Sequence, residues 1–529
     1  AGLVAGQVVA QDGARLLGRR MDGGDVSRDF AAATTFASAG AVFYANAHWV
    51  SRRWAAMFEK EFDRVLVKRL SYVAALMLAL SAWSAFPEAW TAVAWGVLGL
   101  ALAYAAMRLK ITDLTYQANA ISGLAVLRAL LENFDIHAPY HGVSLRLMTV
   151  SLTACLVYAA ARFGATANGP WGFTFRGVSF EGERIRAAAY SWAATFLLAL
   201  LAWYELRPAG VAVAWTIGGL VLLELGVSRR ALGLRMQAYV LFLASFARIF
   251  FVNVNANGGP GEHSPRFYTM LPVMLAFLYG YWRLRESESL SIDRDWKTAE
   301  TCCYLGVITL VALMRFELAP DWVAAAWASL VLALMAVAWR SGQRIFLHQA
   351  LLIGVALGFR TSLHNLYERS YFPAPPWESR MITVGAVVLF LFAALPIAFR
   401  MRIKGGTSQR GRIGMALEAV ARRPEQALFF LAVGLLSALL AIEMRHGMVT
   451  LAWGVEGVAI FLMALWLGER SFRLTGLGLL LLCVAKILLV DVWRLNPRDR
   501  YLTFIVLGGA LLLVSYLYTR NREALRQYL

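Results

Sequence analysis

The sequence predicts an all-α, polytopic membrane protein of about sixteen transmembrane helices, arranged as four parallel four-helix repeats. Three observations lead there. Of 529 residues, 59% are hydrophobic and only 16% are charged, a balance suited to hydrocarbon rather than to soluble domains. Apolar runs of roughly 18–24 residues recur along most of the chain, long enough to cross a hydrocarbon core about 30 Å thick. The stretch 450–493 is also present four times: aligning its Trp453 with Trp95, Trp215 and Trp327 brings polar columns into register without a gap.

The columns are specific. Thirty-three residues after each tryptophan stands a long cation: Arg128, Arg248, Arg360 and Lys486. Five further on come Asn133, Asn253, Asn365 and Asp491. Gln117, Gln237, Gln349 and Thr475 lie twenty-two after the tryptophan. Glu205, Glu317 and Glu443 lie ten before it, with Ala85 breaking that column in the first copy.

In chain order, residues 1–68 differ from the rest. They hold GRRMDGGDVSRD, a bland run over 31–50, and an amphipathic RRWAAMFEKEFDRVLVKR. The Ala, Thr, Ser and Gly content of the bland run and its basic flanks read as a helical cytoplasmic or interfacial lead-in, with an extra span as the alternative. The start at Ala1, with the wrong charge order for a signal peptide, reads as processed or truncated. Copy one occupies 69–162, with spans at about 69–86, 89–108, 113–135 and 143–162. Copy two occupies 185–284, copy three 299–402 and copy four 424–520, each with the same four-span pattern. Gly and Pro punctuate the connections, as at Pro87, Pro208 and Pro320.

Charge sets the orientation. Lys and Arg collect on one side of the repeat, at Arg108, Lys110, Arg229, Arg230, Arg340, Arg344, Arg470 and Arg473, so that side is cytoplasmic. Both termini are then expected in the cytoplasm of a multi-pass inner-membrane protein. The same topological bias accounts for the net charge of +18 without nucleic acid. Four helices per copy give every copy the same orientation, which argues against an inverted-repeat transporter.

The tryptophans, near the outer ends of the second helices, read as interfacial anchors. The cations lie a turn or two inside the outer ends of the third helices, where charge must pair, snorkel or meet water. Pairs Glu205–Arg248, Glu317–Arg360 and Glu443–Lys486 would staple first to third helices. Arg128 lacks that partner; either Glu88 or Glu132 substitutes, or it meets an anionic ligand. The ligand-binding candidates are therefore Arg128, Asn133, Arg248, Asn253, Arg360, Asn365, Lys486 and Asp491, with Glu205, Glu317 and Glu443 as structural ion-pair partners. The glutamines read as interhelical hydrogen-bond donors. Outer loops add His137, His141, His263 and His364, read as ordinary loop chemistry.

Cys155, Cys302, Cys303 and Cys483 show no ligand spacing, and no nucleotide-binding or hydrolase motif occurs. No metal, cofactor or catalytic residue is expected. The run from LAWGVEG to SYLYTR resembles the C-terminal signature of bacterial "domain of unknown function 2339" membrane proteins. The residues that carry it are Trp453, Gly454, Glu456 and Gly457, the Lys486–Asp491 pair and Tyr516-Leu517-Tyr518. The similarity covers about 424–522 directly and the earlier copies through the repeat. It implies a long inner-membrane protein with many spans and no assigned activity. The expected role is a scaffold or subunit of an envelope assembly, with membrane lipids and other envelope proteins as partners. A transporter or lipid–glycan translocator binding an anionic headgroup is the alternative, and an enzyme on lipid-linked substrates is a third.

Overall fold

The protein was analysed as a computed structural model. The structure describes residues 30–54, 61–137, 139–140, 142–164, 172–175, 178–256, 264–286, 297–372, 375–402, 420–444, 446–491 and 497–520. It is all-helical apart from two short hairpins, and it divides into two compact units, Ala1–Ile292 and Asp293–Leu529.

In the first unit, α1 (Phe30–Tyr44) continues through a π-helical turn (Ala45–Val50) and a last turn (Ser51–Arg53). Two helix quartets follow. The first is α2 (Glu61–Ala85), α3 (Glu88–Leu109), α4 (Thr112–Leu131) and α5 (Leu145–Gly164). The second is α6 (Gly182–Glu205), α7 (Gly210–Ser228), α8 (Leu232–Phe251) and α9 (Pro265–Glu286). Hairpin β1 (Pro139–Tyr140) and β2 (Val143–Ser144) precedes α5, and hairpin β3 (Gly172–Phe175) and β4 (Val178–Glu181) precedes α6.

The second unit holds two further quartets. They are α10 (Thr298–Glu317), α11 (Val323–Ser341), α12 (Arg344–Arg360) and α13 (Arg380–Arg400), then α14 (Pro424–Glu443), α15 (His446–Leu467), α16 (Arg470–Lys486) and α17 (Pro497–Arg520). Its core is apolar; the rings of Phe429 and Phe472 stack with centroids 3.6 Å apart.

Among the described residues, twelve helices are long and apolar enough to cross a membrane. Those below that measure are α1, α4, α6, α9 and α17. Polarity explains two of them: α4 carries Asp113, Gln117, Asn119 and Arg128, and α9 carries Arg266, Arg283, Arg285 and Glu286.

The turn from second to third helix of each quartet ends on the same pair of conformations. The first is left-handed: Lys110 at φ 56°, Arg230 at φ 53°, Gly342 at φ 68° and Gly468 at φ 71°. All four stand fifteen residues after the column tryptophan. The second is extended, at Ile111, Ala231, Gln343 and Glu469, and the next helix starts at once. After α3 and α7 the second residue's N–H reaches back five residues, Ile111 to Ala106 at 3.3 Å and Ala231 to Gly226 at 2.8 Å, which closes the helix in the Schellman manner. Turns of two or three residues force α3/α4, α7/α8, α11/α12 and α15/α16 to be antiparallel neighbours. Glycine sets how closely one pair approaches: a Cβ on Gly476 would lie 2.9 Å from the Gly457 carbonyl oxygen.

Residues 30–53, expected as a lead-in, form a helix antiparallel to α2 along its length. Ser81 Oγ donates to the Ala33 carbonyl at 2.8 Å, and His48 Nε2 meets Ser71 Oγ at 2.8 Å. The small residues that make this run look bland are the ones buried: Ala32, Ala33, Ala39, Gly40 and Ala47. Small side chains let helices approach closely in lipid, so low hydrophobicity here marks packing.

The left-handed turn position gives a direct test. A non-glycine residue there costs about 1 kcal/mol or more, so Arg230→Gly should raise stability by about 1 kcal/mol. Gly342→Arg should lower it by a similar amount. Thermal unfolding of the detergent-solubilised protein reads both; equal midpoints for both variants would contradict this account.

Candidate functional site

Each quartet has a distal end, where its first helix turns into its second. The column residues assemble there and just below it. Every column tryptophan donates its indole N–H to a backbone carbonyl sixteen residues earlier, on the preceding helix. Trp95 reaches Ala79 at 2.8 Å, Trp215 reaches Ala199 at 2.8 Å, Trp327 reaches Val311 at 3.2 Å and Trp453 reaches Ser437 at 3.0 Å. A helical carbonyl has a second lone pair to offer. The indoles are half-buried staples between helices, a role beyond the interfacial anchoring expected of them.

The third helix answers the start of the second. Asn133, Asn253 and Asn365, all nearly fully buried, donate Nδ2–H to the carbonyls of Ala89, Ala209 and Asp321 at 2.9, 2.8 and 2.9 Å. In each case the partner lies 44 residues earlier. Asn133 and Asn365 also bond Thr149 (2.9 Å) and Thr383 (3.2 Å) on the fourth helix. The three Oδ1 atoms are buried and accept no hydrogen bond from described residues, leaving room for a water or ligand donor there.

The cations end on the same turns. Arg248 donates through Nε and Nη2 to the Pro208 carbonyl at 3.3 and 3.0 Å. Its guanidinium also lies over Trp203, 4.0 Å from the ring centroid, a favourable contact for a desolvated cation. Arg360 Nη2 donates to the Pro320 carbonyl at 2.9 Å. Lys486 Nζ donates to Thr450 Oγ1. Arg128 Nη1 is 3.6 Å from Glu132 Oε1, one of the two acids expected to stand in for the missing column partner. The backbone of Asp491 closes a π-helical turn, Ile487–Asp491; its side chain lies outside the described residues.

The glutamates pair differently from expectation. No ion pair forms between Glu205 and Arg248, Glu317 and Arg360, or Glu443 and Lys486 among the described residues. Glu205 instead receives Arg146 Nε and Ser144 Oγ, both at 2.7 Å, from the start of α5. Glu443 lies 2.6 Å from Arg380 Nε at the start of α13. Glu317 is exposed, with no ion pair among the described residues. The reason is packing: α5 lies along α6, and α13 along α14, far more extensively than first and third helices of one quartet touch. First and third helices are tied lower down, by Gln117 to Ser71 (2.7 Å), Gln237 to Ser191 (2.8 Å) and Gln349 to the Cys303 sulfur (3.3 Å).

One cluster belongs to the third quartet alone. Asp321 is almost wholly buried and takes a bidentate contact from Arg369, with Nε–Oδ1 at 2.6 Å and Nη2 on Oδ2. His364 places Nε2 3.4 Å from Asp321 Oδ1 and Nδ1 against Glu368. Glu378 lies 3.9 Å from Arg369. These residues gather because α12 runs on through a π-helical turn (Thr361–Tyr367) and a 3-10 turn (Glu368–Ser370), and π turns often mark functional positions. Burial alone would raise the Asp321 pKa, but the hydrogen bonds and charge of Arg369 outweigh it and hold the carboxyl below its ordinary 3.8. Asp321 stands outside the repeated columns, because the other quartets have Ala89, Ala209 and Gly447 at its place.

The fourth quartet has its own exception. Glu456, inside α15, is 6% exposed and accepts Ser437 Oγ through both carboxylate oxygens at 2.9 Å. The W-G-x-E-G motif held the only signal for it. His137 Nδ1 contacts the nearby Asp135 carbonyl at 2.7 Å; His141 and His263 lie outside the described residues.

Cavities of about 830, 750, 410 and 950 Å³ open elsewhere. None of these has Arg128, Arg248, Arg360, Lys486 or a column asparagine in its wall. The model of the family "Predicted membrane protein (DUF2339)" matches residues 16–521. No curated protein and no solved structure matches the chain.

The Asp321–Arg369 pair makes a pH-dependent prediction. A carboxyl with a lowered folded pKa contributes stability that is complete above its unfolded value and lost as pH falls through the folded one. Wild-type protein should therefore lose stability below pH 3.8, and Asp321→Asn should flatten that acid limb. The substitution should also cost about 3 kcal/mol at neutral pH, the low end for a broken buried pair, because Arg369 keeps some access to water. Thermal midpoints across pH check both; an unchanged acid limb would refute the assignment.

Proposed function

The chain belongs to the DUF2339 family of predicted membrane proteins, and we propose that it is a scaffold or subunit of an envelope assembly in a bacterial inner membrane. The observation that carries this reading is the fate of the outer cations. Each described one is engaged within its own quartet, by a carbonyl, a hydroxyl or a neighbouring acid, and none borders the cavities described. A translocator built on that column would need guanidiniums facing an open path. Exposed aromatics near the distal end of the second unit, Tyr367, Tyr371 and Phe372, supply an apolar surface for a partner.

The finer architecture follows the same pattern. Sixteen crossings in four parallel quartets account for tryptophan, asparagine and glutamine bonds that recur at sequence separations of 16, 44 and 46. Basic residues beside the opposite, proximal turns support a cytoplasmic side for those turns. The carboxyl-terminal end of α17 is then cytoplasmic.

Reconstituted proteoliposomes separate scaffold from translocator. The purified protein should move neither a fluorescent anionic lipid nor a lipid-linked sugar between leaflets. Arg248→Gln should lower its thermal midpoint while leaving that flux at background. In cells, substituting Tyr367, Tyr371 and Phe372 together by serine should dissociate a defined complex at unchanged protein abundance. Lipid flux that Arg248→Gln abolishes would establish the translocator instead.

A further inference from the structure

Two of the cavities in the first unit are the same groove built twice. The first, about 830 Å³, lies between the α1 helix and its turns, α2, α3 and the start of α4. The second, about 750 Å³, lies between α5, α6, α7 and α8. A shift of 120 residues, the spacing of Trp95 and Trp215, carries one wall onto the other. Leu98, Leu102 and Leu114 become Gly218, Leu222 and Leu234, and every wall residue of the first groove outside Tyr44–Arg53 has such a counterpart. The remaining wall comes from α1 in the first groove and from α5 in the second. Here α1 takes the place that a fourth helix takes before the following quartet.

The polar parts of the two grooves also correspond. Each has a tyrosine on that extra wall directed at a column glutamine. Tyr44 donates to Gln117 Oε1 at 2.6 Å. Tyr158 joins Thr195, which donates to Gln237 Oε1 at 2.7 Å. These hydroxyls and amides satisfy one another, so the groove depth presents little free polarity to a ligand. The mouths are different. At the proximal end the first groove carries Arg52 and Arg53, and the second carries Arg162 and Arg229. All four guanidiniums are exposed and make no hydrogen bond or ion pair with a described residue. Trp49 and Trp54, both exposed, stand edge to face beside the first mouth, as aromatic side chains do at a headgroup boundary.

A wall of Leu, Val and Ala rising from a pair of exposed cations is complementary to one class of molecule in a bilayer. We propose that each groove holds one anionic glycerophospholipid, its phosphate between the two arginines and its acyl chains along the apolar wall. Both volumes fall within the roughly 300–1,000 Å³ of ligand sites, and Val221 and Leu225 are exposed along the second groove, leaving it open to the bilayer. The lipid belongs to the leaflet at the proximal ends. This inference rests on the spans and their packing, not on the scaffold role, and holds if the protein proves to be a translocator.

Native mass spectrometry of the full chain tests it. The protein is released from membranes containing phosphatidylglycerol and phosphatidylethanolamine, then carried through detergent exchange. Wild type should retain two phosphatidylglycerol molecules. Arg162→Gln with Arg229→Gln should lose one, Arg52→Gln with Arg53→Gln the other, and the fourfold variant both. Surface cations contribute about 1 kcal/mol each toward anionic lipid, so each double variant should weaken its site roughly 30-fold. Arg340→Gln, in the second unit and outside both grooves, should change nothing. Matching circular dichroism and gel-filtration profiles confirm that the variants fold. Unchanged retention in the double variants overturns the proposal, as does equal retention of phosphatidylethanolamine, which marks ordinary boundary lipid. Displacement by millimolar inorganic phosphate would show an anion site without a lipid and would overturn it too.

Discussion

The constraint on which this structure depends is the scarcity of hydrogen-bond partners in hydrocarbon. Where a first helix turns into a second, backbone carbonyls stand at the break between two helical ladders and have a lone pair free for a further donor. The chain answers with side chains from the third helix: an asparagine amide for the carbonyl at Ala89, Ala209 or Asp321, and a guanidinium for that at Pro208 or Pro320. Each such bond also fixes the third helix against the second. The indole staple fixes the second against the first, and the glutamine fixes the third against the first. Three kinds of bond triangulate three helices without the glutamate–cation pairs that the columns suggest.

That logic shows what the sequence could disclose and what it could not. Gapless columns announced both the helices and the polar positions, because a bond between two helices of fixed length demands a fixed separation along the chain. The columns could not disclose the partner, since a carbonyl has no letter of its own. Arginine and glutamate at similar depth in one copy therefore looked like a pair. Arg248 was in fact answering Pro208, and Glu205 was answering Arg146 from the fourth helix before it. The run over 31–50 is hard to read from composition for a related reason: it looks weakly hydrophobic, whereas its alanines and Gly40 serve close packing on α2.

The departures from the pattern carry a separate lesson. Asp321 replaces a small residue in one quartet, yet it arrives with Arg369, His364, Glu368 and Glu378 around it. A buried carboxylate alone would be prohibitive, so its neighbours had to change with it. Glu456 in the fourth quartet has Ser437 for company, and that serine also lends its carbonyl to Trp453. A column analysis averages over copies and is blind to such single-copy residues, which is where a duplicated scaffold has freedom to acquire chemistry.

Duplication also accounts for a helix that the columns do not cover. Each first helix needs a neighbour on the side away from its own quartet, and within the first unit the preceding fourth helix supplies it, as α5 does for α6. Beside the first quartet α1 fills that place, bringing Tyr44 to Gln117 as α5 brings Tyr158 into contact with the Thr195–Gln237 pair. A helix recruited to that place inherits the geometry around it, including an apolar trough facing the bilayer and a basic rim where the trough ends. The same packing rule that closes the bundle at its amino-terminal side thereby generates matching surfaces for lipid.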